Sequence, residues 1–472
     1  MKANPYQQLF DDQMDQFLKV GKTTYKERVT KLRRLKKALE FEYRQPLRDA
    51  LFSDFGKPFL ETDLTEIYPI LAEIKHIERN LRDWMQPKKV SSPLPMIGSR
   101  SYIEYESKGV CLILSPWNFP LNLTFNPMVS AIAAGNCCIV KPSESTPATS
   151  QVMAEIVSAL FDPSEIALVQ GEVETAKALL ELPFHHIFFT GSPGVGKQIM
   201  KAAASHLSSV TLELGGKSPA FVDETASMET TAKRLAWGKC LNAGQICVAP
   251  DYVLVTEKAK DALVEALKNQ LESFFPKGAW HSKSYSRIIH TSHHRRLQDF
   301  VNSAVAQGAR VIYGGGNTEE KHFFEPTLIE QVPEEATLLQ EEIFGPVLPI
   351  VTVKYVDAAV DFINRKPRPL ALYTFSKNKG AIRKLSANTR AGTACINHNV
   401  VHFSNNHLPF GGINNSGIGK SHGYHGFLAF SNERATVRQY TPSAIDLLIP
   451  PYSDLMQRMV DATLRWFKYS QN

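Results

Sequence analysis

The chain has 472 residues, 43% of them apolar and 21% charged. That is material for roughly two to four domains with large buried cores, and it excludes a disordered chain, a collagen-like fibre and a disulfide-rich miniprotein. Lys and Arg number 53 against 47 Asp and Glu, a formal net charge of +6; scattered without a basic stripe, this balance argues against nucleic acid and suits anionic small ligands.

The opening residues, MKANPYQQLFDDQMDQF, carry no apolar run after the lysine, so no secretory leader is expected. No uninterrupted apolar stretch reaches the roughly 20 residues that span a bilayer. The six cysteines, Cys111, Cys137, Cys138, Cys240, Cys247 and Cys395, form no CxxC pair. That argues against a zinc site, and without a leader they read as reduced thiols in a cytoplasmic protein.

Residues 1–85 read as helical. Val29, Leu32, Leu35 and Leu39 form an amphipathic stripe at i, i+3, i+6 and i+10. A Pro/Ser/Gly-rich break follows at 91–100. From about residue 109, short apolar runs alternate with helical stretches: GVCLILSP, CCIVKPS, IALVQG, HHIFFTGS and SVTLELGG as strands, with helices between them, the first ending at Gly135. Continuous apolar strands alternating with helices predict a parallel sheet covered on both faces. Such sheets bind ligands beyond the carboxyl ends of their strands. A second alternating region starts near 218–223 and runs to about 400. The Gly/Asn-rich stretch INHNVVHFSNNHLPFGGINNSGIGKSHG then reads as a long functional loop.

Five motifs could carry chemistry. GSPGVGKQ (191–198) follows the phosphate-loop pattern up to Lys197, but Gln198 stands where a magnesium-holding Ser or Thr is required. What survives is a glycine-rich strand-to-helix turn able to hold a phosphate, or simply a tight turn. Cys247 in LNAGQICVAP differs from Cys111, Cys137 and Cys138, which sit in apolar strands as small hydrophobes, because Asn242, Gly244 and Gln245 surround it. Glu213 in VTLELGGKSP ends an apolar strand, where desolvation raises a carboxyl toward general-base range, unless it only caps the next segment or pairs with Lys217. Asn118 in SPWNFP offers an amide N–H to an oxyanion, or is an ordinary turn asparagine. In QEEIFGPVLP, the acids beside Phe344 could grip hydroxyls, or lie solvated at a helix end.

Taken in order, PWNFP, KPSE, FTGSPGVGK, ELGGKSP, NAGQIC, EEIFGPV and LPFGG resemble the aldehyde dehydrogenase superfamily, over about residues 105–435. GQICVAPDYVLV and NNHLPFGGINNSGIGKSHGYHGFLAFSN are similar to its short, dimeric class 3-type branch. The resemblance implies an α/β fold: a Rossmann-type cofactor-binding domain (1–88 and 106–214), an α/β catalytic domain (215–424), a small β oligomerisation arm (89–105 and about 425–441) and a C-terminal tail (442–472). It further implies that Cys247 is the nucleophile, Glu213 the general base and Asn118 the oxyanion amide. Lys141 and Glu144 fall at the adenosine ribose, Ser192 at the pyrophosphate, and Glu342 and Phe344 at the nicotinamide ribose and ring. Trp117, Gly191 and Gly196 belong to the same cofactor surface.

The implied reaction takes an aldehyde to the carboxylic acid through a cysteine thiohemiacetal and thioester, hydrolysed by water that Glu213 activates. The expected cofactor is NAD, because the Glu144 carboxylate repels a 2′-phosphate, although Lys141 lies close and the branch is known for tolerating NADP as well. No metal is expected. Aromatics such as Phe119, Phe125, Trp237 and Phe403 suggest a medium-chain aliphatic or aromatic aldehyde. The competing readings are a non-catalytic binding protein on this scaffold, against which the retained Cys247, Glu213 and Asn118 speak, and an acylating relative, which lacks the general base. The amphipathic tail, with Leu455, Met459, Leu464 and Trp466, is expected to pack on its own subunit or a dimer partner rather than on a membrane.

Overall fold

The computed structural model describes residues 4–93, 96–440, 443, 445–446 and 449–469. The residue that opens the expected tail, 442, lies outside this range, as do 470–472. Most of the N-terminal third is helical. Thr24 and Glu27 form a reciprocal capping box that starts the helix Tyr25–Lys37, which buries Val29, Leu32 and Leu35. The next turn, Ala38–Glu42, widens to π-helical spacing and still buries Leu39. The predicted stripe is therefore one continuous buried face, against which the helix Tyr68–Trp84 lays Ile70, Ile74, Ile77 and Leu81.

The predicted parallel sheets are both present. The first runs in the order Gly417–Ile418, Ser209–Leu214, His186–Gly191, Val110–Leu114, Cys137–Lys141, Ile166–Leu168. It is parallel except for its edge, where Gly417 pairs antiparallel with Glu213. Val110–Leu114 and Cys137–Lys141 are buried on both faces, which is why they read as unbroken apolar runs. The second sheet is ordered Arg310–Tyr313, Thr327–Glu330, Val347–Val353, Tyr252–Thr256, Pro219–Val222, Ala371–Phe375, Thr393–Ile396, with only its first strand antiparallel. A third, three-stranded antiparallel sheet joins Lys88–Val90, Ser99–Ser107 and Ser431–Gln439, placing distant parts of the chain side by side.

The helix Asn122–Ala134 is buried on every side and ends, as expected, at Gly135, whose φ of +80° is left-handed. Buried Arg28 donates to the carbonyls of Ala133 (2.9 Å) and Gly21 (2.8 Å), satisfying groups the helix end leaves open. The stretch read as one loop, 396–423, contains the 3-10 turn Val401–Ser404 and the strand Gly417–Ile418, and leads into the short helix Gly423–Ala429. The carboxyl ends of the first sheet converge on one region: Lys141 ends one strand, Gly191 the next, and Glu213 stands one residue from the end of the third.

Candidate active site

Cys247 follows a strained turn. Asn242 and Ala243 hold left-handed backbone (φ +50° and +51°), and Gly244 follows at +73°. Strain of this kind persists only where the surroundings over-determine it, and it concentrates at functional sites. The clamp is Gln245, fully buried. Its Nε2 donates to the carbonyls of Asn242 and Arg287, both at 3.0 Å, and its Oε1 accepts from Ile289 N. Asn118 Nδ2 donates to the Gln245 carbonyl at 3.0 Å, and Asn242 Nδ2 to the Asn118 carbonyl at 2.9 Å. Asn118 and Cys247 are thus pinned together by one buried amide network.

The thiol is not in the electropositive setting that a free thiolate needs. Burial, then the Glu342 and Glu213 carboxyls, push it up to about 12, while backbone N–H groups of Cys247 and Val248 pull the other way. The resting sulfur is protonated, and a neighbouring base has to take that proton.

Glu213 is buried, and burial pushes its carboxyl up to about 7. Ser421 Oγ donates to Oε1 at 2.8 Å, and Lys420 adds a favourable field. Lys217 is not its partner: that ammonium pairs with Asp251 and donates to the carbonyls of Leu338 (2.9 Å) and Glu341 (2.7 Å). Glu213 is therefore poised rather than neutralised.

Three cavities meet at Cys247 and Leu123. The largest, about 850 Å³, is lined by Asn118, Glu213 and Cys247 together with Trp117, Lys141, Glu144, Gly191, Ser192, Glu342 and Phe344. So ten of the eleven expected site residues share one wall. Gly196 does not; it lies behind the wall, where a Cβ would stand 2.7 Å from Leu214 Cδ2, and its smallness lets the helix Pro193–Ala204 close on the sheet. Ser192 caps that helix by accepting from Val195 N, while Lys197 points to solvent, away from phosphate-loop duty. Lys141 and Glu144 are an ion pair at 2.6 Å. Trp117 and Phe344 meet edge to face at 5.4 Å.

Of the acid pair, Glu341 is exposed and Glu342 half-buried. Burial and nearby Asp251 push Glu342 up to about 8, and its Oε1 is buried without a hydrogen-bond partner. Its loop is held by residues the sequence did not single out: Arg296 donates to the carbonyls of Glu342 (3.0 Å) and Ile343 (2.6 Å), and Asp251 Oδ1 accepts from Ile343 N. No local pattern marks Arg296 or Asp251, since their task exists only once the loops are folded. Gln245 was flagged only as polar company for Cys247; its role as a clamp is tertiary.

The second cavity, about 530 Å³, is an apolar funnel ending at Cys247 and lined by Phe119, Trp237, Phe403, Phe275, Val401 and Leu64 among others. Phe125, expected there, is instead fully buried in the N-terminal core, because its turn of the Asn122–Ala134 helix faces inward. Among the described residues no cluster of potential ligands could hold a metal ion, and no helix is long and apolar enough to cross a membrane.

Residues 2–436 match the model of the aldehyde dehydrogenase family. The chain is 40% identical to the 4,4'-diaponeurosporen-aldehyde dehydrogenase of Staphylococcus aureus (strain NCTC 8325 / PS 47), covering 90% of this chain and 92% of that one. It is 41% identical to aldehyde dehydrogenase family 3 member B1 of Rattus norvegicus, covering 96% of each. The structure superposes on the substrate-bound state of Staphylococcus aureus AldH with a TM-score of 0.93, at 38% identity over 97% of this chain and 99% of that one. The chain belongs to the aldehyde dehydrogenase family and is an oxidoreductase of aldehydes.

Proposed function

We propose that the chain oxidises a medium-chain aliphatic or aromatic aldehyde to its acid with NAD through a thioester on Cys247. The observation that carries this reading is the position of Cys247, at the inner end of an apolar funnel and on the wall of the large cavity, with Glu213 and Asn118 beside it.

The large cavity fits a nicotinamide dinucleotide. Its size lies in the range of ligand and cofactor sites, and the unpartnered Glu342 Oε1 would accept from a ribose hydroxyl. Phe344 and Trp117 offer flat apolar faces, Lys141 and Glu144 would take the adenosine ribose, and the start of the helix at Ser192 would take the pyrophosphate. When bound, the dinucleotide would supply the hydride acceptor. Glu144 favours NAD, because a carboxylate facing a 2′-phosphate repels it. The Lys141 ammonium beside it leaves room for NADP.

Glu213 first takes the Cys247 proton, since burial holds the thiol protonated, and that proton has to pass to solvent before Glu213, again a carboxylate, can act in hydrolysis. The sulfur attacks the carbonyl carbon, and the oxygen gains charge facing Asn118 Nδ2 and the Cys247 N–H. After oxidation, the thioester carbonyl meets the same two donors, and Glu213 removes a proton from the attacking water. A general base at this position favours hydrolysis over transfer to phosphate or CoA. Replacing Cys247 by Ala should abolish both cofactor reduction and ester hydrolysis, and rapid-quench mass spectrometry of the wild type should trap an acyl group on the Cys247 peptide. Turnover by the Ala variant, or release of acyl phosphate or acyl-CoA, would overturn the reading.

The same reading assigns 1–88 and 106–214 to cofactor binding, 215–424 to catalysis, and 89–105 with about 425–441 to an arm that joins two copies into a homodimer in the cytoplasm. The amphipathic helix Asp454–Tyr469, exposed at Leu455, Leu464 and Trp466 and so not packed on its own subunit as one expectation had it, then packs on the dimer partner. Liposome sedimentation of the full chain against a chain ending at 441 should show equal pelleting.

A further inference from the structure

The third cavity at Cys247 is a small chamber of about 40 Å³ on the side of Glu213 that faces the N-terminal helices. Glu213, Glu73, Asn126, Ser130 and His422 border it, and the last four have no part in the reaction described above. Glu213 Oε2, Asn126 Oδ1 and His422 Nδ1 are buried without hydrogen-bond partners. A water occupies roughly 10–15 Å³ on this measure and needs two to four polar contacts. The chamber therefore has room for one to three waters beside these three unpartnered polar atoms.

Glu73 is a buried carboxyl (2% exposed) in the helix Tyr68–Trp84 that pairs with no cation among the described residues; its Oε1 accepts from Gly423 N at 2.7 Å. Burial pushes it up to about 7, the same level as Glu213. Two carboxyls of matched proton affinity on one wetted chamber exchange a proton at little cost. The route continues outward. His76 lies three residues along the same helix, its Nε2 3.0 Å from where a Gly423 Cβ would stand, and its ring packs 4.5 Å from that of exposed His407. The other titratable groups near the chamber add no competing proton store: burial holds His422 and His402 neutral, and Lys420 donates to the Gly411 carbonyl.

We propose that Glu73 is the proton-relay residue of thioester hydrolysis, passing the proton that Glu213 takes from water through the chamber to His76 and solvent. This rests on the role of Glu213 proposed above. The attacking water's O–H bond breaks as its oxygen bonds the thioester carbon, and that proton goes to Glu213; the C–S bond then breaks, and the acid's remaining O–H proton returns to the departing Cys247 sulfur, leaving a carboxylate. Glu213 gives its proton to a chamber water, which gives one of its own protons to Glu73. Glu73 releases it by way of His76, and both carboxyls end as they began, with no electrons moved. With the funnel and the large cavity filled, the chamber is the remaining cavity at Cys247.

The test is Glu73→Gln in the full chain. The amide oxygen can still accept from Gly423 N–H but takes up no proton. Rapid-quench mass spectrometry should find first-turnover acylation of Cys247 at the wild-type rate, with decay of the acyl group slowed about a hundredfold, the low end for a lost proton-transfer group. KM for the aldehyde should hold, the solvent deuterium effect on kcat should rise, and added formate or imidazole should restore part of the rate. Wild-type decay with a wild-type isotope effect would overturn the proposal, and so would equal losses in acylation and decay, which mark a structural role. Ser130→Val fills the chamber without changing its charge and should give the same slow decay; it carries the test if the Gln variant does not fold, and normal decay in it overturns the relay. If no acyl-Cys247 forms even in the wild type, the thioester reading fails, and the relay with it.

Discussion

Glu213 is useful because it is uncomfortable. Burial raises its proton affinity until it titrates near neutrality, and it acts as a base only as the carboxylate. Thioester hydrolysis should therefore climb with pH through about 7 and level off above it, while Glu213→Gln should be slow and flat across the same range; stopped-flow acid release at several pH values checks both. The stability effect has the opposite sign. A carboxyl raised from 4.5 to about 7 on folding stabilises the fold fully below pH 4.5, and that contribution is lost as pH rises through about 7. Glu213→Gln should therefore melt higher than the parent at pH 8, by up to ~3 kcal/mol, with the gap closing near pH 5. At the adenosine ribose, Glu144→Gln removes the like charge facing a 2′-phosphate. The ratio of catalytic efficiencies should shift toward NADP roughly tenfold, equivalent to about 1.4 kcal/mol; an unchanged ratio in steady-state assays would remove Glu144 from cofactor choice. That Cys247, Glu213 and Asn118 share one cavity wall was legible because residue type, turn context and motif order agree. The protonated state of the thiol was not, since it arises from burial in the assembled fold and then from carboxyls more than thirty residues away on either side.

Elements tell a similar story. The strands at 110–114 and 137–141 and the helix ending at Gly135 were readable because a doubly covered sheet forces unbroken apolar runs and a helix end needs a left-handed residue. The bracing of the Asn118 loop was not readable. Lys57 and Glu66, both fully buried, form an ion pair at 2.5 Å. Lys57 also donates to the Asn118 carbonyl (3.3 Å) and sits 4.0 Å over the Phe119 ring, and Glu66 Oε2 accepts from Asn122 N at 2.9 Å. In sequence these are two charges in a polar helical segment, and only tertiary packing brings them under the loop. Removing one partner strands a buried charge, so Lys57→Met should cost about 3–5 kcal/mol. The pair Lys57→Met with Glu66→Leu should recover much of that loss. Chemical denaturation measures both, and a double variant as unstable as the single one would contradict the account.

At the scale of the whole molecule, the three-stranded sheet ties residues 88–107 to 431–439 and leaves Ser431–Gln439 as an edge with charged side chains at Glu433, Arg434 and Arg438. An edge strand presents unpaired backbone groups, which charges protect from indiscriminate pairing while a matched copy can still use them. Light scattering at micromolar concentration should give twice the chain mass; a monomer there would rule out the proposed dimer. The convergence of three cavities on one sulfur has its own kinetic result. Under the proposed function, aldehyde and dinucleotide take separate cavities that meet at Cys247, so neither blocks the other's doorway. An apolar plug in the funnel should inhibit competitively toward aldehyde yet noncompetitively toward the dinucleotide, and spent acid can depart while the reduced carrier is still seated.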